Sequence, residues 1–525
     1  MVNAYGFESQ VPRLLNALLA RAYSLAHALD ESDGLTKPLP DAAEGGGKGL
    51  GKDEGLGKDA GLADLQVRFE TQVELLAVDL ENAALDSAYS QAAYWLRQCV
   101  EARAWHVSEY LAVLESAFDD EEEDDNDGDG MDEGASEGVR RKEFVRSEEE
   151  SGELGCELKD VLEAGKVLLA TARAEVLLTG NLTDQEAAEV ARRVLAELPA
   201  QTAHASGETP HTENDDSNSN DDDDDKVPLP HAVQLPLVSK LATGNAPAAP
   251  AAADDDVKNT AEIPVTPGPL LCRTLPDTTN ENSCALQFLH FGLEATVNGG
   301  ASGASEKEGE EEERLSTAEH ACLELIGHLA APSFFQKLRT EEQLGYLVSA
   351  HVSRFSGALG LTLLVQSSTA APRHLEARMT SWCHSFAQEL EALSEEACAA
   401  NALALATQYT ERPRSLGDEH DSALGELLSR RYAFNRRAAR ADAVLKVTKA
   451  ELLEAWHERL SPSAPQRRPL RVHTYARAHA AEAGLNEGTV NDGSDNDGVD
   501  LSTLEAVRAF KDKLPQLMSP SVHCD

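Results

Sequence analysis

The sequence predicts an α+β protein: sheets rich in antiparallel strands with helices on one face, in two consecutive units interrupted by long acidic insertions. Three observations lead there. Apolar β-type runs occur first singly, SCALQFLHFGLEA at 283–295, and then as a pair, YLVSAHV and ALGLTLLVQ, joined by the short turn SRFSG. Runs with helical spacing open on Ser/Thr followed three residues later by Glu, which is the capping-box pattern. Acidic or Gly-rich blocks separate these folded stretches, and at 525 residues the chain is too long for one compact domain.

The elements follow in order. Leu65, Phe69, Val73 and Leu76 recur at helical spacing, and helical turns continue through Trp95, Cys99 and Leu111. Residues 157–172 are helical, AEVLLTGN at 174–181 reads as a short strand, and Thr183 with Glu186 caps the helix after it. In the second unit, Ser316 and Glu319 form a capping box before ACLELIGHLA, and a helix carrying Phe334, Phe335 and Leu338 stops at Gly345, read as the residue just past its end. After the hairpin, Leu375, Met379, Trp382, Phe386 and Leu390 mark one face of a long helix. Helices near 394–410, 415–430 and 448–460 precede a closing strand at 469–477.

This gives a first unit at 1–201 with disordered inserts at 34–64 and 118–153, and an acidic then Ala/Pro-rich linker at 202–262. A second unit at 263–479 carries an insert at 298–313, and an acidic tail with a terminal helix fills 480–525. The inserts contain too little apolar surface to offset the entropy of ordering them.

There are 46 basic and 92 acidic side chains, a net charge of −46. That balance excludes nucleic acid, whose binding rests on Lys and Arg neutralising phosphates, and it excludes anionic membrane surfaces. Eight cysteines are scattered without a Cys-x-x-Cys pair, as in a reducing compartment. With no basic, apolar leader at 1–20 and no long apolar span, the expectation is a soluble cytoplasmic protein.

Several motif-like stretches fail on chemistry. Gly46, Gly51 and Lys52 have phosphate-loop spacing, but Asp53 stands where a hydroxyl should hold magnesium. Asp125, Asp127, Asp129 and Gly130 open like a calcium loop that ends on Ser136 instead of Glu, and Asp495, Asp497 and Gly498 lack the first and last ligands. His106 and Glu109 share a helical face but have no further ligand at zinc spacing. No Gly-x-Ser-x-Gly elbow occurs. The residues alone show no complete catalytic site and no cofactor or metal site.

The segment LRTEEQLGYLVSAHV, 338–352, draws attention because it places Arg339 and Tyr346 at a helix-to-strand corner. A guanidinium fork and a phenol hydroxyl emerging together can hold a peptide carbonyl, a terminal carboxylate or a developing oxyanion. The same residues also suit a helix C-terminus and half-buried strand packing.

The span SFFQKLRTEEQLGYLVSAHVSRFSGALGLTLLVQS resembles the C-terminal half of the insulin-degrading enzyme family, the zinc metallopeptidases that include nardilysin and pitrilysin. AEVLLTGNLTDQEA resembles a step of that family's third domain, and NENSCALQFLHFGLEA, LSRRYAFNRR, LKVTKAELLEAWHERL and RVHTYAR follow its fourth domain in order. The resemblance implies two consecutive peptidase-family α/β sandwiches. It implies a substrate-binding half of a peptide hydrolase, with zinc and its His-x-x-Glu-His helix on an N-terminal half that this chain lacks. It also implies roles. Tyr346 donates to the tetrahedral intermediate, Arg339 holds the substrate backbone, and Phe335 lines the same pocket. The expected partners are peptide substrates and the zinc-bearing half, without which the chain is inactive. The alternative is a non-catalytic acidic scaffold that binds peptides or proteins.

Overall fold

The computed structural model of the chain describes residues 58–83, 85–102, 104–115, 157–171, 177–196, 230–233, 268–276, 279–294, 314–429, 431–482, 504–514 and 516–518. They fall into two compact units, one from Met1–Asn82 with Val107–Ser217, the other from Ala83–His106 with Asn218–Asp525. In chain order the elements begin with helices α1 (Lys58–Ala83), α2 (Ala88–Val100), α3 (Val107–Glu115), α4 (Leu158–Thr171) and α5 (Asp184–Ala196). Strands β1 (Pro230–Val233), β2 (Leu270–Thr274) and β3 (Ser283–Leu293) follow. Next come α6 (Thr317–Phe335), a π-helical turn at Gln336–Glu341, and the hairpin of β4 (Leu347–Phe355) and β5 (Ala358–Ser367). Helices α7 (Pro372–Ala392), α8 (Glu395–Thr410), α9 (Leu416–Leu428), α10 (Arg436–Val444) and α11 (Lys449–Ala455) lead to β6 (Pro469–Tyr475). The last elements are α12 (Arg477–Glu482), α13 (Leu504–Asp512) and β7 (Gln516–Met518).

The first unit is helical among its described residues. Leu158 and Leu162, one turn apart on α4, are buried against Leu65 and Phe69 of α1. The capping box of α5 forms as expected: the Thr183 backbone N–H donates to Glu186 at 2.8 Å, and the Glu186 N–H donates back to the Thr183 hydroxyl at 3.3 Å. Two details differ from the sequence reading. α1 starts at Lys58, inside the stretch 34–64 expected to be disordered. The expected strand at 174–181 is irregular over 177–181, and its earlier residues lie outside those described. A strand needs a partner for its backbone groups, and the described part of this unit holds none. The inserts at 118–153 and 298–313 also lie outside the described residues.

The second unit is built on a five-stranded sheet in the order β2-β6-β3-β5-β4. β2 runs parallel to β6, and every other pair is antiparallel. β4 and β5 turn through Ser356 and Gly357, both at positive φ (48° and 94°), which suits a two-residue hairpin whose strands twist right-handedly.

One face of the sheet carries Ala285, Leu289, Leu361, Leu363 and Val365, packed against Leu325, Phe334, Leu338, Met379, Trp382, Phe386 and Trp456 of the helical layer. Trp382 is the hub, with Phe334 edge-on at 4.8 Å and Phe386 stacked at 4.8 Å. Each such large apolar side chain contributes roughly 1.5–3 kcal/mol by leaving water.

The opposite face is covered too, whereas the sequence reading placed helices on one face only. Ala88, Ala92, Trp95, Leu96 and Cys99 of α2, with Val507 and Phe510 of α13, bury Leu286, Phe288, Leu470 and Val472. The Thr474 hydroxyl donates to the Ala88 carbonyl at 2.9 Å, which ties the start of α2 to β6. Residues 83–106, assigned from sequence to the first unit, therefore pack in the second. All eleven positions of β3 are buried, as expected of a strand covered on both sides. β1, inside the presumed linker, pairs antiparallel with β7 at the other end of the chain.

Candidate functional site

The site is the corner where α6 passes through its π-helical turn into β4. Phe334 and Leu338 lie one turn apart and point into the core, both completely buried. The next stripe of the helix, Phe335 and Arg339, is thereby turned outward. Helix α6 is held at this end by the Trp382 indole N–H, which donates to the Ser333 hydroxyl at 3.0 Å, while Ser333 donates to Glu389 at 2.7 Å.

Leaving the turn, the Glu342 N–H donates to the Lys337 carbonyl and the Leu344 N–H to the Leu338 carbonyl, each at 3.0 Å. Glu342 also receives a two-pronged ion pair from Arg378 of α7, Nε to Oε2 and Nη2 to Oε1, both at 2.7 Å. Gln343 follows in the left-handed region at φ 53°. Gly345 is not the left-handed residue past the helix end that the sequence suggested. Its role is close approach, because a Cβ there would sit 1.9 Å from the Gln366 carbonyl oxygen of β5.

Tyr346 then projects from the surface, 83% exposed, and Phe335 is 41% exposed. The Arg339 guanidinium lies between their rings, 4.5 Å from the Tyr346 centroid and 4.9 Å from that of Phe335. The structure thus brings the three sequence-predicted residues together in one aromatic–guanidinium–aromatic stack, pointing away from the packed interior. Each ring contact is worth about 0.5–1 kcal/mol at an exposed position. Among the described residues, neither the Arg339 guanidinium nor the Tyr346 hydroxyl makes a hydrogen bond or ion pair. The stack fixes the guanidinium without occupying its N–H groups, so its fork and the phenol hydroxyl are available to a ligand's oxygen atoms.

The other candidates resolve differently. The His106 ring lies tilted against Trp95 and Tyr94, its centroid 5.1 Å and 5.6 Å from theirs. The phosphate-loop and calcium-loop look-alikes lie outside the described residues. Among those described, no group of three or more His, Cys, Asp or Glu side chains is arranged to hold a metal, and no helix is long and apolar enough to cross a membrane. The Glu342–Arg378 pair and the left-handed Gln343 were not anticipated; the only trace in the sequence is the Glu of LRTEEQLGY.

Residues 325–424, which include the whole corner, match the family model described as PQQ synthase PqqF-like, C-terminal lobe domain 4. Human insulin-degrading enzyme is 33% identical over 162 residues, 31% of this chain. This part of the chain is similar to insulin-degrading enzymes. A second relative, insulin-degrading enzyme-like 1, peroxisomal, of Arabidopsis thaliana, is 31% identical over 160 residues, 30% of this chain. The aligned part covers 16% of the length of each of these two enzymes. The fold agrees as well: the crystal structure of pitrilysin superposes with a TM-score of 0.53 at 16% identity, over 87% of this chain and 35% of pitrilysin. These matches liken the chain to the C-terminal half of an insulin-degrading enzyme family peptidase.

Proposed function

We propose that this chain is the substrate-clamping half of a zinc metalloendopeptidase acting on unfolded peptides. The observation that carries the reading is the Phe335–Arg339–Tyr346 stack, which presents uncommitted donors at an exposed corner. A peptide backbone offers the acceptors those donors lack. Arg339 holds a substrate carbonyl through its N–H fork, and Phe335 supports the guanidinium from behind. Tyr346 donates its hydroxyl to the scissile carbonyl oxygen, where negative charge grows as a tetrahedral intermediate forms. On this reading zinc belongs to an N-terminal half, carried on a longer chain or a separate subunit, and this chain alone hydrolyses nothing. A reducing, cytoplasmic setting goes with this reading, in keeping with five of the six described cysteines being buried thiols.

Titration with a fluorescein-labelled, unstructured ten-residue peptide tests the clamp. Arg339→Met should weaken binding about tenfold, the scale of a lost charge-assisted hydrogen bond. Equal affinity of variant and native chain refutes it. The second reading, an acidic scaffold that binds basic partners, is favoured by the net charge of −46. It requires affinity that depends on peptide charge and collapses with salt. The clamp requires affinity for neutral peptides as well.

A further inference from the structure

We propose that Arg378 is a positioning residue for this site: its fork on Glu342 holds the 342–346 segment in the path that sets Tyr346 against Arg339. The inference rests on the clamp reading above and deepens it. α7 is a rigid platform, because Leu375, Met379, Trp382 and Phe386 along it are all buried. Arg378 projects from that platform and grips both carboxylate oxygens of Glu342, with 31% and 17% of the two side chains exposed. Paired N–H···O bonds fix orientation as well as distance. Only Gln343, Leu344 and Gly345 separate the gripped residue from Tyr346. Gln343 is in the left-handed region, which a residue with a Cβ occupies only when its surroundings over-determine it. The anchors on either side are of different kinds. Leu344 is nearly buried and Gly345 is pressed on β5, which fixes the later part. The Glu342–Arg378 fork fixes the start. Without it, Gln343 relaxes, and Tyr346 leaves the face of Arg339.

Hydrogen exchange of the full chain separates this role from a general contribution to stability. In Arg378→Met, amides 343–347 should exchange at least tenfold faster, while amides 361–365 of β5 keep their native rates. Glu342→Gln, which keeps the shape and loses the charge, should reproduce the pattern if Arg378→Met folds poorly. Arg378→Lys keeps the charge and loses the fork, so it should restore the melting temperature but leave the labelled peptide bound about tenfold more weakly than the native chain does. Unchanged exchange at 343–347 in a folded variant overturns the proposal, as does an equal rise in β5 or full recovery of affinity by lysine. These results are distinct from a failure of the clamp, which shows as native affinity in Arg339→Met whatever the exchange pattern.

Discussion

At the scale of the residue, the corner depends on a few side chains with separable tasks. Gly345 is there because nothing larger fits against the Gln366 carbonyl. Gly345→Ala should destabilise the second unit by about 2–3 kcal/mol, in the range of overpacking and strain effects, measured as a lower urea midpoint. Leu338 is completely buried one position before Arg339. Leu338→Ala should cost about 2–5 kcal/mol and loosen the helix end that aims the guanidinium. The pairing of Arg339 with Tyr346 at the helix-to-strand corner was legible in sequence, and Phe335 joined them only through the family resemblance. That the guanidinium stacks between two rings was not, since it depends on how the chain returns through Gln343.

At the scale of the element, strands and capped helices were readable wherever the signal is local. The boxes at Thr183 and Ser316 form as spaced, a third forms at Thr448 with Glu451, and the Ser-Gly hairpin closes between Phe355 and Ala358. What was not readable is the second helical cover of the sheet. α2 reaches its place across a sequence gap that no local pattern reports, and a wholly apolar strand such as β3 is compatible with one covered face or two. β1 was missed for the same reason, because its partner lies near the end of the chain. The elements around the hairpin tip are joined by an ionic hub. Glu294, just after β3, pairs with Arg354 at 2.5 Å, Arg436 at 2.8 Å and Arg431 at 3.5 Å, with 11% of its side chain exposed. Arg431 and Arg436 also pair with Glu426, each at 3.1 Å, so Glu294→Gln weakens the hub without stranding them and should cost about 1–3 kcal/mol. A thermal midpoint within error of the native one counts against this account of the hub.

At the scale of the whole molecule, the buried ionisable groups set the pH range of the second unit. Burial holds the His290 ring neutral, lowering its pKa from 6.5 to about 3. The unfolded chain then takes up a proton near pH 6.5 that the folded chain refuses, and stability declines as pH falls through that window. Burial works against ionising Glu324, but the hydrogen bond from His320 and the charge of Arg440 prevail and bring it to about 2. Its contribution is present above about pH 4.5 and is lost as pH falls toward 2. His473 runs the other way: despite burial, contacts with Cys272 and Glu376 raise it from 6.5 to about 9. Its contribution is full below pH 6.5 and disappears as pH rises through 9. Urea midpoints should therefore fall on both sides of neutrality, and His290→Phe should flatten the slope between pH 6.5 and 4.5. An unaltered slope contradicts that assignment.

The central claim is that the Tyr346 hydroxyl stabilises charge on a peptide carbonyl whose attacking chemistry resides on another half. Its most direct measurement is kcat for a quenched-fluorescence peptide, with this chain mixed with the zinc-bearing N-terminal half of a family member. Removing one such donor costs about 10²–10³ in kcat, so Tyr346→Phe should lower turnover by that factor at unchanged melting temperature. Turnover equal to that of the native chain contradicts the claim.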